Sequence, residues 1–309
     1  MTVQPALQSH SASFPSRSSS PSPPADPARR PAAQCTWPHD GSPRPPPSPA
    51  DGKLIVFFDI DNCLYSKDAG IAEMMKGKIR AYFRRLGLSD DEAKDLHSHY
   101  YREYGLAIRG LVRHHAVDAL DYDKHCDAAL PLDEVLKDDP KLRRLLSDID
   151  REKCHVWALT NAYKIHATRV LNLLGIADQF EGVISCDYGA GEFSCKPEAA
   201  FFNDALRHVS NPPPPVSSLY FVDDSALNVR GANGLGWRHC VLFDEGGSEE
   251  DRLGSVEVVS AGEKDEGAAG GAEKPRVSVV HDLEELRTIW AEVFKTSAAS
   301  AASGTNGSS

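Results

Sequence analysis

The chain lacks the usual signs of a secreted or membrane protein. No apolar run approaches the roughly 20 residues that a membrane-spanning helix needs. The N-terminus has no apolar core of the signal-peptide kind. It is Ser-rich and acid-poor like an organelle transit peptide, but its many prolines oppose the amphipathic helix such peptides use. No CxxC pair occurs among the seven cysteines, Cys35, Cys63, Cys126, Cys154, Cys186, Cys195 and Cys240. An odd count, with several thiols inside apolar runs, fits reduced, buried cysteines in an intracellular protein. The expected location is the cytoplasm, with the nucleus as second choice. Positive charge is also short. Lys and Arg number 34 against 45 Asp and Glu, a net charge of −11. A nucleic-acid backbone is therefore not an expected partner, and neither is a membrane. An acidic protein that handles an anion must build a local positive site for it.

At 309 residues the chain is long enough for one large domain or two small ones. Residues 1–51 are Ser, Pro, Ala and Arg rich, bury too little apolar surface to offset chain entropy, and read as a disordered tail. Residues 296–309 read the same way. So does the Gly, Glu, Asp and Ser-rich stretch 244–276, expected to be a disordered acidic insertion.

Between these lie short apolar strands at 54–58, 155–159, 182–186, 218–222, 239–243 and, less clearly, 277–280. Helical spacing fills 163–174, 197–208, 226–232 and 283–294. This alternation predicts an α/β fold, a doubly wound parallel sheet with right-handed crossovers. The rhythm breaks once. Residues 67–149 read as helices only, at 71–86, 89–101, 108–119, 123–129 and 141–150. Ser89 and Glu92 form a capping-box pattern, and Pro140 stands where a first-turn proline is tolerated.

The polar residues fall at predicted strand ends. Asp59 and Asp61 end the first strand, two residues apart on one face if the strand continues. Thr160 and Asn161 end the second, Lys196 follows the third, and Asp223 and Asp224 end the fourth. In an open α/β sheet such tips converge on one crevice. The inventory suits phosphoryl transfer: a carboxylate nucleophile, a carboxyl acid/base, hydroxyl and amide donors, and a lysine against anionic charge. Clustered carboxylates beside a phosphate favour Mg²⁺ as the cation.

These residues resemble the haloacid-dehalogenase (HAD) superfamily of phosphohydrolases. Its four motifs are matched in order by Asp59-Ile60-Asp61, Leu159-Thr160-Asn161, Lys196-Pro197 and Val222-Asp223-Asp224-Ser225. The resemblance spans residues 53–295. It implies a Rossmann-like core over 52–66 and 150–295, and an α-helical cap over 67–149 that closes on the crevice. It implies Asp59 as nucleophile and Mg²⁺ ligand, and Asp61 as acid/base with its carbonyl on the metal. Thr160 and Asn161 would hold and orient, and Lys196 would balance charge. Asp224 would be the main acidic metal ligand of the fourth motif, with Asp223 assisting and Asn228 beside them. Asn62-Cys63 departs from the common Gly-Thr.

Within the cap, the run from Tyr101 to Leu111 is similar to that of fungal and plant pyrimidine 5′-nucleotidase-like proteins. So are Asp59 to Tyr65 and Thr160-Asn161-Ala162. The implied activity is Mg²⁺-dependent hydrolysis of nucleoside 5′-monophosphates, pyrimidines (UMP, CMP) preferred, through an aspartyl-phosphate. A phosphatase or phosphomutase for another small phosphate is the first alternative. A non-catalytic regulatory binder is the second, disfavoured because no motif residue is lost. Tyr104 and Arg109 are candidate substrate contacts. Tyr100, Tyr101 and Tyr104 could stack on a pyrimidine ring, although tyrosines at helical spacing are more often packing, and Arg113, like Arg109, could contact a ribose or phosphate as readily as stay solvated or salt-bridged. His114 and His115 lack acidic metal-ligand partners at diagnostic spacing. Cys63 and Trp157 read as packing residues. Oligomeric state is not legible.

Overall fold

The computed structural model describes residues 33–296 apart from 116, 191–192, 249, 255, 257 and 261–275. Eight strands form one sheet: β1 Ala33–Thr36, β2 Leu54–Phe58, β3 Cys154–Leu159, β4 Gly182–Cys186, β5 Leu219–Asp223, β6 His239–Phe243, β7 Val258–Ser260 and β8 Arg276–Val280. Their order is β1-β4-β3-β2-β5-β6-β8-β7. Every pairing is parallel except that of β1 with β4. The helices in chain order are α1 Ile71–Arg85, α2 Asp90–Tyr104, α3 Ala107–His114, α4 Ala119–His125, α5 Leu132–Val135, α6 Pro140–Ser147, α7 Lys164–Leu173, α8 Ala199–Val209, α9 Ala226–Gly234 and α10 Leu286–Ile289.

Strand β2 shows why the sheet is covered on both faces. Its side chains alternate, as they must in a strand. Ile55 and Phe57 join one buried cluster with Phe201 and Phe202 of α8 and Val229 of α9. Val56 and Phe58 join another with Val170 and Leu171 of α7 and with Trp290. Helices on both faces make the sheet doubly wound, as the apolar runs predict. The chain builds β2, β3 and β4 outward in one direction, then returns to place β5 on the other side of β2. This switch leaves the tip of β2 at the crevice where such folds bind ligands.

Two segments expected to be disordered, the N-terminal tail and the acidic insertion, are partly ordered. The expectation of disorder over 1–51 fails for its last part. Ala33–Thr36 pairs antiparallel with β4, and the Ala33 amide donates to Asp204 Oδ2 at 3.0 Å. Farther on, Arg44 lies between the rings of Trp37 and Trp157, 4.5 and 4.6 Å from their centroids. Such a strand has no local signal in a Pro/Ser-rich stretch. It forms because β4 would otherwise be an open edge. Likewise Val258–Ser260, inside the segment expected to be a disordered insertion, pairs parallel with β8. The expectations for residues 1–32, 261–275 and 297–309 lie outside the described residues.

Among the described residues the regular elements between β2 and β3 are all helical. Ser89 and Glu92 form the capping box expected of them. Helices α2 and α3 pack so closely that a Cβ on Gly110 would fall 2.2 Å from the Tyr100 ring. Leu132, Leu142, Leu145 and Leu146 of α5 and α6 are buried in the cluster that holds Phe58 and Val156. Ile79, Phe83 and Ile108 of α1 and α3 are buried in the one that holds Ile55 and Phe57. The single helix expected over 283–294 is instead two short 3-10 turns around α10.

Candidate active site

The crevice is built from three adjacent strand tips. Asp59 follows β2, and its amide still donates to Val222 O at 3.0 Å, so the ladder to β5 holds it in place. Thr160 follows β3 and is fixed by its amide on Ile184 O at 2.9 Å. Asp223 ends β5, with Asp224 next. Lys196 reaches the same point from the loop between β4 and α8. Two features set that loop. Asn161 grips its backbone from both sides, donating to Lys196 O at 2.9 Å and accepting from its amide at 2.7 Å. Helix α9 packs against it at Gly231, where a Cβ would lie 2.7 Å from the Pro197 side chain.

Lys196 is completely buried. Its ammonium donates to Asp59 Oδ1 at 2.6 Å, Asp223 Oδ2 at 2.7 Å and Leu159 O at 2.6 Å. All three of its protons are thereby used. Asp223 also accepts from the Ser225 amide at 2.8 Å and from the Asn228 side chain at 3.0 Å. Asn228 therefore stands beside the fourth motif as a support. Asp224 faces Lys67, 3.4 Å away.

Asp61 sits beyond this group, its side chain 29% exposed. Its Oδ1 accepts from the Tyr65 hydroxyl at 2.8 Å and from His166 Nε2 at 2.6 Å. Burial would raise its pKa, but the His166 charge and these hydrogen bonds hold it below the usual value. Burial works against the charge on His166, yet Asp61 beside it lifts its pKa to about 9. Nearby, Asp127 is pushed up to about 7, by burial first.

Between Asp61 and the cap lies the departure from the common Gly-Thr pair. Asn62 has φ of +57°, in the left-handed region where glycine is most at ease and Asn is the usual substitute. The common Gly is thus replaced by a residue that keeps the turn. Cys63 is buried, and burial with Asp59 close by pushes its thiol well above the ordinary range. It is a packing residue, not a nucleophile.

The ligand set fits a hard cation. Asp59, Asp223 and Asp224 each offer an oxygen, all within 4.8 Å of one another. Asn228 Oδ1 is buried there without a partner. Burial raises Asp59 well above the normal carboxylate range; Lys196 opposes this, and Asp223, Asp224 and Asp61 add to it. Burial and Asp223 push Asp224 up to about 7. Three carboxylates against the ammonium groups of Lys196 and Lys67 leave excess negative charge, which a dication would offset.

A pH signature follows. Both carboxyls bind protons more tightly folded than unfolded, where the reference value is 3.8. Stability of the metal-free protein should therefore fall as pH rises from about 4 through about 7. Mg²⁺ competes with those protons. Its stabilising shift in thermal unfolding should be clear at pH 7.5 and small at pH 5. Equal shifts at both pH values would contradict this charge balance.

The candidate cap contacts are engaged within the protein. Arg109 forms a bidentate pair with Glu198 at the start of α8, at 2.6 and 3.0 Å. The Tyr104 hydroxyl lies 2.8 Å from Glu103 and 2.6 Å from His114. Tyr100 is buried and lies 2.7 Å from His115, so it packs the cap; Tyr101 is exposed. Sequence reasoning passes over Tyr65, His166 and the Arg109–Glu198 link between cap and core. A lone His in the first turn of α7, a few residues after Thr160-Asn161, is the only local hint.

Comparison with known proteins agrees with this geometry. The model of the haloacid dehalogenase-like hydrolase family matches residues 54–236. Phosphate metabolism protein 8 of Saccharomyces cerevisiae is 34% identical over 261 residues, covering 81% of this chain and 77% of that protein. A protein of Clostridium acetobutylicum described as a predicted phosphatase is similar in structure. Its TM-score is 0.51 at 16% identity, over 78% of this chain and 99% of that one. The chain belongs to the haloacid dehalogenase-like hydrolase family. No described helix is long and apolar enough to cross a membrane.

Proposed function

We propose that the protein is a Mg²⁺-dependent phosphomonoesterase acting on small phosphate esters, with nucleoside 5′-monophosphates, pyrimidines first, as its substrates. The observation that carries the phosphatase reading is the buried Lys196 ammonium bridging Asp59 and Asp223, with Asp224 alongside. That arrangement keeps one carboxylate oxygen aimed and charge-balanced while others remain for a metal and a phosphoryl group.

In this reading Asp59 attacks phosphorus and forms an aspartyl-phosphate. Thr160, beside Asp59, donates to the phosphoryl oxygens, and Lys196 offsets their charge. Asp223, Asp224 and Asp59 would hold Mg²⁺, joined by the Asp61 backbone carbonyl that the family resemblance implies, and the metal would neutralise phosphoryl charge. Asp61 takes up a proton from solvent as the phosphate binds, gives it to the leaving oxygen, takes one from the attacking water and releases it to solvent with the product. It is a carboxylate in the free protein, and the negative phosphate raises its proton affinity on binding.

The nucleotide preference is supported by the likeness of residues 101–111 and 59–65 to pyrimidine 5′-nucleotidase-like proteins. A relative named for phosphate metabolism agrees with the broader class. The test is a panel of UMP, CMP, AMP, GMP and glycerol phosphate with purified protein and Mg²⁺. UMP and CMP should give the highest kcat/KM. A better rate on glycerol phosphate would overturn the nucleotide preference. Inertness to every ester would overturn the phosphatase.

A further inference from the structure

Asp61 is held more firmly than an isolated carboxylate. Tyr65 lies four residues after it, and His166 comes from the first turn of α7. Both donors meet the same oxygen, Oδ1, at 2.8 and 2.6 Å. Among the described residues nothing donates to Oδ2. His166 is only 2% exposed, and its Nδ1 is buried without a partner. A ring placed there only to fill space has no need of nitrogen. Its one hydrogen bond among the described residues is to Asp61, with the buried Asp127 a second negative neighbour.

We propose that His166 and Tyr65 are positioning residues for the acid/base. By pinning Oδ1 they fix the carboxyl plane and present Oδ2 alone to the leaving group. The inference rests on the role given above to Asp61. The terminal torsion of an aspartate is broad, so an unpinned carboxyl would sample many orientations. Two donors on one oxygen remove that freedom before substrate arrives.

The chemistry this would serve has two halves. First, Asp59 bonds to phosphorus as the ester P–O bond breaks. The bond's electron pair stays on the leaving oxygen, which takes the proton from Asp61 Oδ2. Then water bonds to phosphorus and the Asp59–phosphorus bond breaks. Asp61 Oδ2 takes the proton that water gives up. The products are an alcohol and inorganic phosphate, with both aspartates restored.

An alkoxide leaves badly without a proton, whereas a nitrophenolate hardly needs one. The readout is therefore kcat/KM of the full-length protein with Mg²⁺ on two esters, UMP and p-nitrophenyl phosphate. This ratio reports the steps up to loss of the leaving group. His166→Ala should lose on the order of 10²-fold on UMP, the scale of a general-acid contribution, and far less on the aryl ester. His166→Gln, which keeps a donor at similar reach, should recover most of the loss. Tyr65→Phe should show the same selectivity to a smaller degree, and covers the case in which His166→Ala does not fold.

Equal losses on both esters for His166→Ala and Tyr65→Phe would overturn the proposal, as would a Gln variant no better than Ala. Asp61→Asn separates the two levels of argument. If it shows the leaving-group selectivity and the His166 and Tyr65 variants do not, only the positioning role falls. If Asp61→Asn is also unselective, the acid/base reading of Asp61 falls and the positioning role with it.

Discussion

Asp59→Asn should abolish phosphate release, by on the order of 10⁴-fold or more, the scale seen when a covalent nucleophile is removed. The amide matches the carboxylate in shape but cannot form the acyl-phosphate. The fold should not suffer. Asp59 is a buried carboxylate whose proton affinity is already raised by burial and by three neighbouring aspartates. Neutralising it relieves that repulsion. Lys196 keeps Asp223 and Leu159 O as partners. Thermal unfolding without Mg²⁺ should therefore show a stability equal to or above that of the wild type. Trapping with labelled substrate should show a covalent phosphoprotein for the wild type alone. A variant within tenfold of wild-type turnover would show that the nucleophile lies elsewhere.

Lys196→Met should be the most damaging single change to the core of the site. The side chain is fully buried and makes three hydrogen bonds, two of them to carboxylates. Burial alone would lower its pKa, but Asp223 and Asp59 raise it instead, so it is an ammonium throughout the working pH range. Methionine fills much of the space and leaves Asp59 and Asp223 buried without a counter-charge. Breaking one partner of such a group costs about 3–5 kcal/mol. Denaturant unfolding at neutral pH measures that loss. The sign with pH is determined. Without the lysine Asp59 takes up its proton at still higher pH, so the deficit should shrink as pH falls toward 5. Asp223→Asn added to Lys196→Met should recover part of the stability. A Lys196→Met protein as stable as wild type at neutral pH would show that the ammonium is not the counter-charge of the site.

Much of the sheet is legible in the amino-acid sequence. β2, β4 and β6 coincide with their apolar runs, and β3, β5 and β8 agree to within a residue. Buried parallel strands are hydrophobic on both faces, so the run itself is the signal. The site is legible for a related reason. Its residues sit at strand ends, and parallel topology sends those ends to one side. In the structure Lys196 bridges Asp59 and Asp223 and bonds Leu159 O, and Asp224 lies with the two aspartates.

The features that sequence reasoning misses share one property. The strand Ala33–Thr36, the link from Arg109 to Glu198 and the bond from His166 to Asp61 join residues 171, 89 and 105 positions apart. None has a periodicity or a turn signal of its own. A four-residue strand gains its backbone partners only from an edge that already exists.

The local pattern is thus enough to specify a doubly wound α/β core, its paired aspartates and the helical stretch between its first two parallel strands. Strand period, capping residues and motif order all act within a few residues, and burial on both faces enforces them. Folding in three dimensions decided the rest: which oxygen of Asp61 is pinned, which lysine is buried among carboxylates, and whether a cap arginine meets a substrate or a glutamate. Those outcomes depend on distances between segments far apart in the chain, and such distances exist only once the sheet and its helices have closed on each other.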